Sequence, residues 1–200
     1  MDKRMTEKTS LPRQSARQRL LSAAEELFYQ EGVHSVGIDR VVERAGVAKA
    51  SLYSNFKGKD DLVRAYLQAR HDARRAAIEA KMALHNKPRD KLLAVFDVMA
   101  EAIGRANYRG CAFLRASAEM AADASGRQVC QDARRWTRER FLLLAKEAGA
   151  TNPDALANQL LLVYDGAAAS AQMDSDPVAA AAAAKSAASL LVDAACAGRS

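Results

Sequence analysis

The chain has 200 residues, half of them apolar and 27% charged, with four prolines and ten glycines. That composition excludes disorder and a collagen-like repeat, and it can bury a core without disulfide or metal staples, as one domain or two small ones. The net charge of +6 divides as +3 over residues 1–60, +4 over 61–92 and −1 over 93–200, so a polyanionic partner is expected for the first half only.

The opening stretch MDKRMTEKTSLPRQSARQ has no apolar run, so it reads as a polar arm and not as a signal peptide. Helical periodicity dominates thereafter, with no sustained strand alternation and no internal repeat. A first helix is expected from about Ser15 to Gln30, with Leu20, Ala24, Leu27 and Phe28 on one face and Gly32 just past its end. Ile38–Ala45 is a second, shorter helix with Ile38, Val41, Val42 and Ala45 as its apolar face, and Ala48–Asn55 is a third. A fourth is expected from Lys59 to about His85, lined on one side by Leu62, Tyr66, Ala69, Ala73, Ala76 and Ala80 and broken at Asn86–Pro88.

The remaining helices are expected near Arg89–Arg105, Cys111–Ala124, Gly126–Glu147, Asp154–Gln172 and Pro177–Ala197, separated by turn-forming residues. Val178–Ala197 has the length of a membrane span, but it is mostly weakly apolar alanine and carries Lys185 and Asp193, so it reads as a buried helix of a soluble protein. The expected architecture is all-α, with about nine helices.

The cysteines, Cys111, Cys130 and Cys196, are odd in number and contain no C-x-x-C, and His34, His71 and His85 lie far from them in sequence. A full disulfide framework is excluded, no structural metal or cofactor is expected, and a reducing cytoplasm is the simplest compartment.

Residues 38–55 have the layout of a helix-turn-helix. Two short helices must cross steeply, which needs a small residue at the closest approach, and Ala45 supplies it. The turn favours a residue tolerant of positive φ, and Gly46 supplies that. Val42, Val47 and Leu52 are the apolar anchors around the turn, with Leu27 and Phe28 closing a three-helix core. The same spacing also fits an ordinary corner between helices.

The wording of the stretch goes further. Arg19-Leu-Leu-x-Ala-Ala-x-x-Leu-Phe-x-x-x-Gly32 is followed by Ile38-x-x-Val-Val-x-x-Ala-Gly-Val-Ala-Lys-Ala-Ser-Leu-Tyr-Ser-Asn-Phe56 and Lys57-Gly-Lys-Asp-Asp-Leu62. This closely resembles the N-terminal DNA-binding domain of the tetracycline-repressor (TetR/AcrR) family of bacterial regulators. The likeness covers about residues 15–65. It implies an N-terminal arm and three-helix reader over residues 1–58, and a C-terminal helical effector-binding and dimerisation domain over 59–200. Where the family usually carries a Thr/Ser pair before the second helix, this chain has Val36-Gly37. Gly37 is a serviceable N-cap that lacks a hydroxyl for a phosphate, yet leaves backbone N–H groups to receive one.

The resemblance sends Ala48–Asn55 into the major groove of double-stranded DNA. Lys49, Ser51 and Ser54 then face base edges, Lys49 suiting guanine O6 and N7, and Ala50 a thymine methyl. Tyr53, Asn55, Lys57 and Lys59 are expected at phosphates, with plain core the other reading of Tyr53 and a solvated lysine the other reading of Lys59. Arg13 and Arg17 add non-specific attraction. Phe96, Met99, Phe113, Met120, Trp136, Phe141 and Tyr164 are candidate lining for a small-molecule effector, or simple core. Arg115, Glu119 and Asp165 are possible polar partners for that effector, with a solvated role the other reading. Leu160, Leu161, Tyr164, Ala168 and Ala171 of one helix, with Leu190 and Leu191 of the next, are the expected homodimer contact in a four-helix bundle, with packing of both helices inside the monomer the other reading.

Together these imply a ligand-responsive repressor that binds a two-fold operator as a dimer. An enzyme is disfavoured, since there is no phosphate-binding glycine loop, no metal cluster and no nucleophile–base pair in the sequence. A redox-sensing regulator using Cys111 or Cys130, and an effector-free architectural or division factor, are the alternatives on the same reader.

Overall fold

The computed structural model describes residues 14–197. Arg13 lies outside the described residues. Among them there are nine helices and no strand: α1 (Ala16–Glu31), α2 (Ile38–Ala45), α3 (Lys49–Asn55), α4 (Lys59–Met82), α5 (Pro88–Ile103), α6 (Ala112–Glu119), α7 (Ser125–Glu147), α8 (Pro153–Met173) and α9 (Pro177–Cys196).

The helix starts follow from local chemistry. At α1, Ser15 and Gln18 satisfy each other's backbone N–H groups in a reciprocal capping box. At α8, Asn152 accepts from Ala155 N–H, and at α9 Asp176 accepts from Val178 and Ala179 N–H. Each is followed by proline at the first helical position, where the missing donor costs nothing. Gly46 ends α2 in the left-handed region at φ 59°, and a Cβ there would also meet the Arg19 guanidinium at 2.8 Å.

Two boundaries differ from the sequence expectation by three residues or more. Helix α6 stops at Glu119 instead of running to Ala124. The Arg127 side chain donates to the Ser117, Met120 and Ala121 carbonyls, satisfying the groups that a further turn would have used. Helix α4 ends at Met82, and the chain tightens to i→i+3 bonds from Leu84 to Lys81 and from His85 to Met82.

Two apolar clusters organise the molecule. The first gathers the inner faces of α1–α3 (Leu20, Phe28, Val41, Leu52 among them) with Leu62, Val63, Tyr66 and Leu67 of α4. It is closed by Ala112 and Ala116 of α6 and Val129 and Cys130 of α7. The second takes Ile78 and Met82 from the far end of α4 and joins them to the inner faces of α5, α7, α8 and α9. Helix α4 therefore has one end in each cluster, and at about 1.5 Å per residue its 24 residues reach ~36 Å. The face expected for α4 is corrected in its second half: Ala73, Ala76 and Ala80 are exposed, and His71, Ile78 and Met82 are buried instead. Larger side chains remove more apolar area from water, so they win the inward positions.

His71 sits between the clusters, 6% exposed, edge-on to the Phe113 and Trp136 rings at centroid distances of 6.4 and 6.0 Å. Burial, reinforced by the positive charge of Arg74, holds its pKa below the ordinary histidine value. The neutral ring is thus the folded form, and on acidification the unfolded chain takes up this proton first. The His71 contribution to stability is expected to be complete above about pH 7 and to decline as pH falls below ~6.5. A melting-temperature series from pH 7.5 to 5.5 checks this, with His71→Gln flattening the decline. An equal decline in that variant would reject the assignment.

Candidate nucleic-acid interface and the cavity behind it

Helix α3 is seven residues long and is anchored by Leu52, with Phe56 buried just past its end. Val41, Val42 and Ala45 of α2 and Leu20, Ala24 and Phe28 of α1 are buried beside it in the same cluster. This leaves Lys49, Ala50, Tyr53, Ser54 and Lys57 on the solvent side, at i, i+1, i+4, i+5 and i+8, while Ser51 and Asn55 are half-buried at its flanks. Tyr53 is 56% exposed and so is not core.

Several of these groups already hold partners. Lys49 Nζ lies 2.6 Å from Asp39 Oδ1 of α2, and this hydrogen bond raises the Lys49 pKa. Both side chains are exposed, so the pair is weakly held and can open. Ser54 Oγ donates to the Ala50 carbonyl at 2.9 Å and Asn55 Nδ2 to the Ser51 carbonyl at 2.7 Å, which leaves Ser54 Oγ free as an acceptor. Gly37 caps α2 in an extended conformation with no side-chain bond and open space around it.

Lys59 holds a partner within the fold. Its Nζ donates to the His34 carbonyl at 2.9 Å, and burial lowers its pKa. It ties the start of α4 to the α1–α2 loop. Arg17 lies over the Phe56 ring at 5.2 Å. The sequence reading missed Arg19, whose guanidinium donates to the Gly46 carbonyl and pins the turn from α1.

The α1–α3 bundle is fastened from behind at Tyr29. Its hydroxyl donates to the Gly110 carbonyl at 3.2 Å and accepts from Arg109 N–H at 3.0 Å, and its carbonyl accepts from Arg115 at 2.7 Å. Glu119 of α6 accepts from His34 N–H at 2.9 Å. Arg115 and Glu119 thus grip α1 and the loop after it, which is not the ligand-binding role expected of them.

Tyr29 also lines a cavity of about 330 Å³ between α4, α5, α6 and α8, with Val98, Met99, Ile103, Phe113 and Tyr164 on its walls. A second cavity of about 210 Å³ adjoins it, sharing Arg74, Cys111, Phe113, Tyr164 and Ala168. Of the expected effector residues, Met99, Phe113 and Tyr164 line these spaces, and Asp165 reaches the second while paired with Arg134 at 2.9 Å. Phe96 and Phe141 do not: they stack fully buried, 5.7 Å apart, with Tyr164 edge-on to both. Trp136 lies against His71 under the Arg75 and Arg140 guanidinium groups, and Met120 packs into the first cluster against Gly126. Cys111 and Cys130 both face the second cavity, and burial pushes the Cys130 thiol pKa up, away from the reactive thiolate.

Most residues of the expected dimer contact take their other reading, packing inside the single chain. Leu160, Leu161, Tyr164, Ala168 and Ala171 are buried within the single chain, and Leu191 packs half-buried against the same core. A residue already withdrawn from water has no area left for a partner. Leu190 alone of that set faces outward, 69% exposed, and on α8 the outward leucine is Leu162, 65% exposed. Helix α9 is long and apolar enough to cross a membrane, with mean hydropathy 1.4, and here it packs against α5 and α8.

Comparison with known proteins agrees with this geometry. A family model described as bacterial regulatory proteins, tetR family, matches residues 20–66. The chain is 34% identical over 93 residues to the HTH-type transcriptional activator FasR of Mycolicibacterium smegmatis, covering 46% of this chain and 42% of FasR. It is 35% identical over 66 residues to the HTH-type transcriptional regulator SrpR of Pseudomonas putida, covering 33% and 31% of the two chains. The matched region spans less than half of these curated relatives. Among solved structures, a TetR-family transcriptional regulator from Streptomyces coelicolor is 33% identical, with a TM-score of 0.85 over 90% of this chain and 96% of that one.

Proposed function

Because the chain belongs to the TetR family of bacterial transcriptional regulators, we propose that it binds a two-fold symmetric DNA operator as a homodimer and is released by a small-molecule effector, acting as a repressor. The chain is a regulator and not an enzyme. The observation that carries the reading is the outward face of α3, where Lys49, Ala50, Tyr53 and Ser54 stand clear of a core that Leu52 anchors. Ser51 and Asn55 flank the groove contacts, and Lys57 and the open α2 start at Gly37 meet phosphates. Residues 1–58 form the reading domain and 59–200 the effector and dimer domain in this proposal, with the protein in the cytoplasm beside its DNA.

The dimer forms through the outward sides of α8 and α9, where Leu162 and Leu190 flank small residues such as Gly166 and Ala183. It sets two α3 helices about 34–36 Å apart, one helical turn of DNA. An effector in the cavity beside Tyr29 favours a spacing that fails this match. Oxidation at Cys111 is the competing trigger, and the raised Cys130 thiol pKa works against a partner for it.

Footprinting across the genome with salt titration is the test. A protected two-fold site is expected. Lys49→Ala removes one contact of about 1–3 kcal/mol in each half, so it should weaken that site by roughly thirtyfold or more and relax preference at one base pair in each half. Lys57→Ala should weaken all sequences alike and flatten the salt slope by about two, one for each subunit. Uniform loss from Lys49→Ala would remove it from base reading. FasR is an activator, and transcription measured with and without the protein at the footprinted promoter decides the sign here.

A further inference from the structure

The charges around the two cavities can be accounted for group by group. In the larger one, Glu25 pairs with Arg70 at 3.6 Å and Glu101 with Lys81 at 2.6 Å, while Arg105 is exposed to solvent. In the smaller one, Arg134 pairs with Asp165, and Arg127 is occupied by three carbonyls at the end of α6.

Arg74 is different. It lines both cavities, and among the described residues no carboxylate lies within 4.0 Å of it. Its Nη2 donates to the Ala133 carbonyl at 3.1 Å and more weakly to Thr137 Oγ1 at 3.4 Å, both neutral. Its Nε is buried with no hydrogen-bond partner, and its guanidinium lies 4.5 Å from the Phe113 ring centre. A sheltered guanidinium without a counter-charge is costly to leave alone, and a fork of N–H donors suits a carboxylate better than any neutral group. The α5 side of the larger cavity carries an apolar strip of Val98, Met99, Ala102 and Ile103 beside Glu101 and Arg105.

We infer that the effector is a small amphipathic carboxylate, its anionic head against Arg74 at the junction of the cavities and its apolar body along Val98, Met99 and Ile103. This rests on the ligand-switch reading above and names the chemistry of its site. Carboxylates supply the counter-charge that Arg74 lacks, and cationic ligands are rejected by the same guanidinium. A volume of about 330 Å³ sits at the small end of ligand cavities, so the body is compact.

The test uses the full chain and matched pairs of probes by calorimetry: octanoate and octanamide, 4-phenylbutyrate and 4-phenylbutanamide, 1-naphthoate and 1-naphthamide. At least one acid is expected to bind tenfold or more tightly than its amide. That preference should vanish in Arg74→Met and persist in part in Arg74→Lys, which keeps the charge. No acid beating its amide, a preference surviving in Arg74→Met, or Arg74→Lys behaving like Arg74→Met would each overturn the inference. The footprinted operator separates the two readings. An acid that binds through Arg74 but leaves operator affinity unchanged upholds the anion site and sinks the switch. An amide that releases DNA while its acid is inert does the reverse.

Discussion

Leu162→Glu combined with Leu190→Glu is expected to convert the protein to a folded monomer and to lower operator affinity by at least a hundredfold. Both side chains stand in solvent in the single chain, so the change leaves the cores intact and falls on association alone. Four like charges would face each other across a two-fold contact, without partners and partly desolvated. Losing the link between half-sites forfeits the gain from simultaneous engagement, typically 10²–10⁴ in affinity. Sedimentation at micromolar concentration with a helical far-UV spectrum checks the first part, and a titration against the operator checks the second. A dimer that survives the double change would move the contact off this face.

Phe141→Ala is expected to destabilise the fold by about 3–5 kcal/mol, the usual range for removing a buried ring. For a chain of this size that lowers the melting temperature by roughly 6–20 °C. Phe141 is fully buried, stacked on Phe96 and edge-on to Tyr164, and lines neither cavity, so its removal opens a void within the core. Phe113→Ala is the informative contrast. That ring is half-buried and lines both cavities, so its loss should weaken ligand binding more than stability. Thermal unfolding of the two variants side by side distinguishes a packing role from a lining role, and equal losses would erase the distinction.

The reader was legible in the sequence because its determinants are local. Ala45, Gly46 and Leu52 lie within eight residues, and the positions they require do not depend on the rest of the molecule. The long helices were legible as helices but not as faces. On α8, leucine and alanine occur all round, and whether Leu161 or Leu162 points inward depends on where α7 and α9 lie. On α4 the alanine stripe followed the period yet lost the core to Ile78 and Met82, set by partners on α5 and α7. Arg74 gave no local signal at all. Its significance is the missing carboxylate, which only the packing of residues some sixty positions further on can reveal.

The first cluster draws Ala112, Ala116, Val129 and Cys130 from far along the chain to seal a bundle begun by α1–α3. A chimera that grafts residues 1–58 onto a relative's body would inherit a foreign lid over this bundle, with Tyr29 and His34 facing the wrong clasps. Transplanting operator preference therefore calls for exchanging only the outward side chains of α3, leaving the native frame in place.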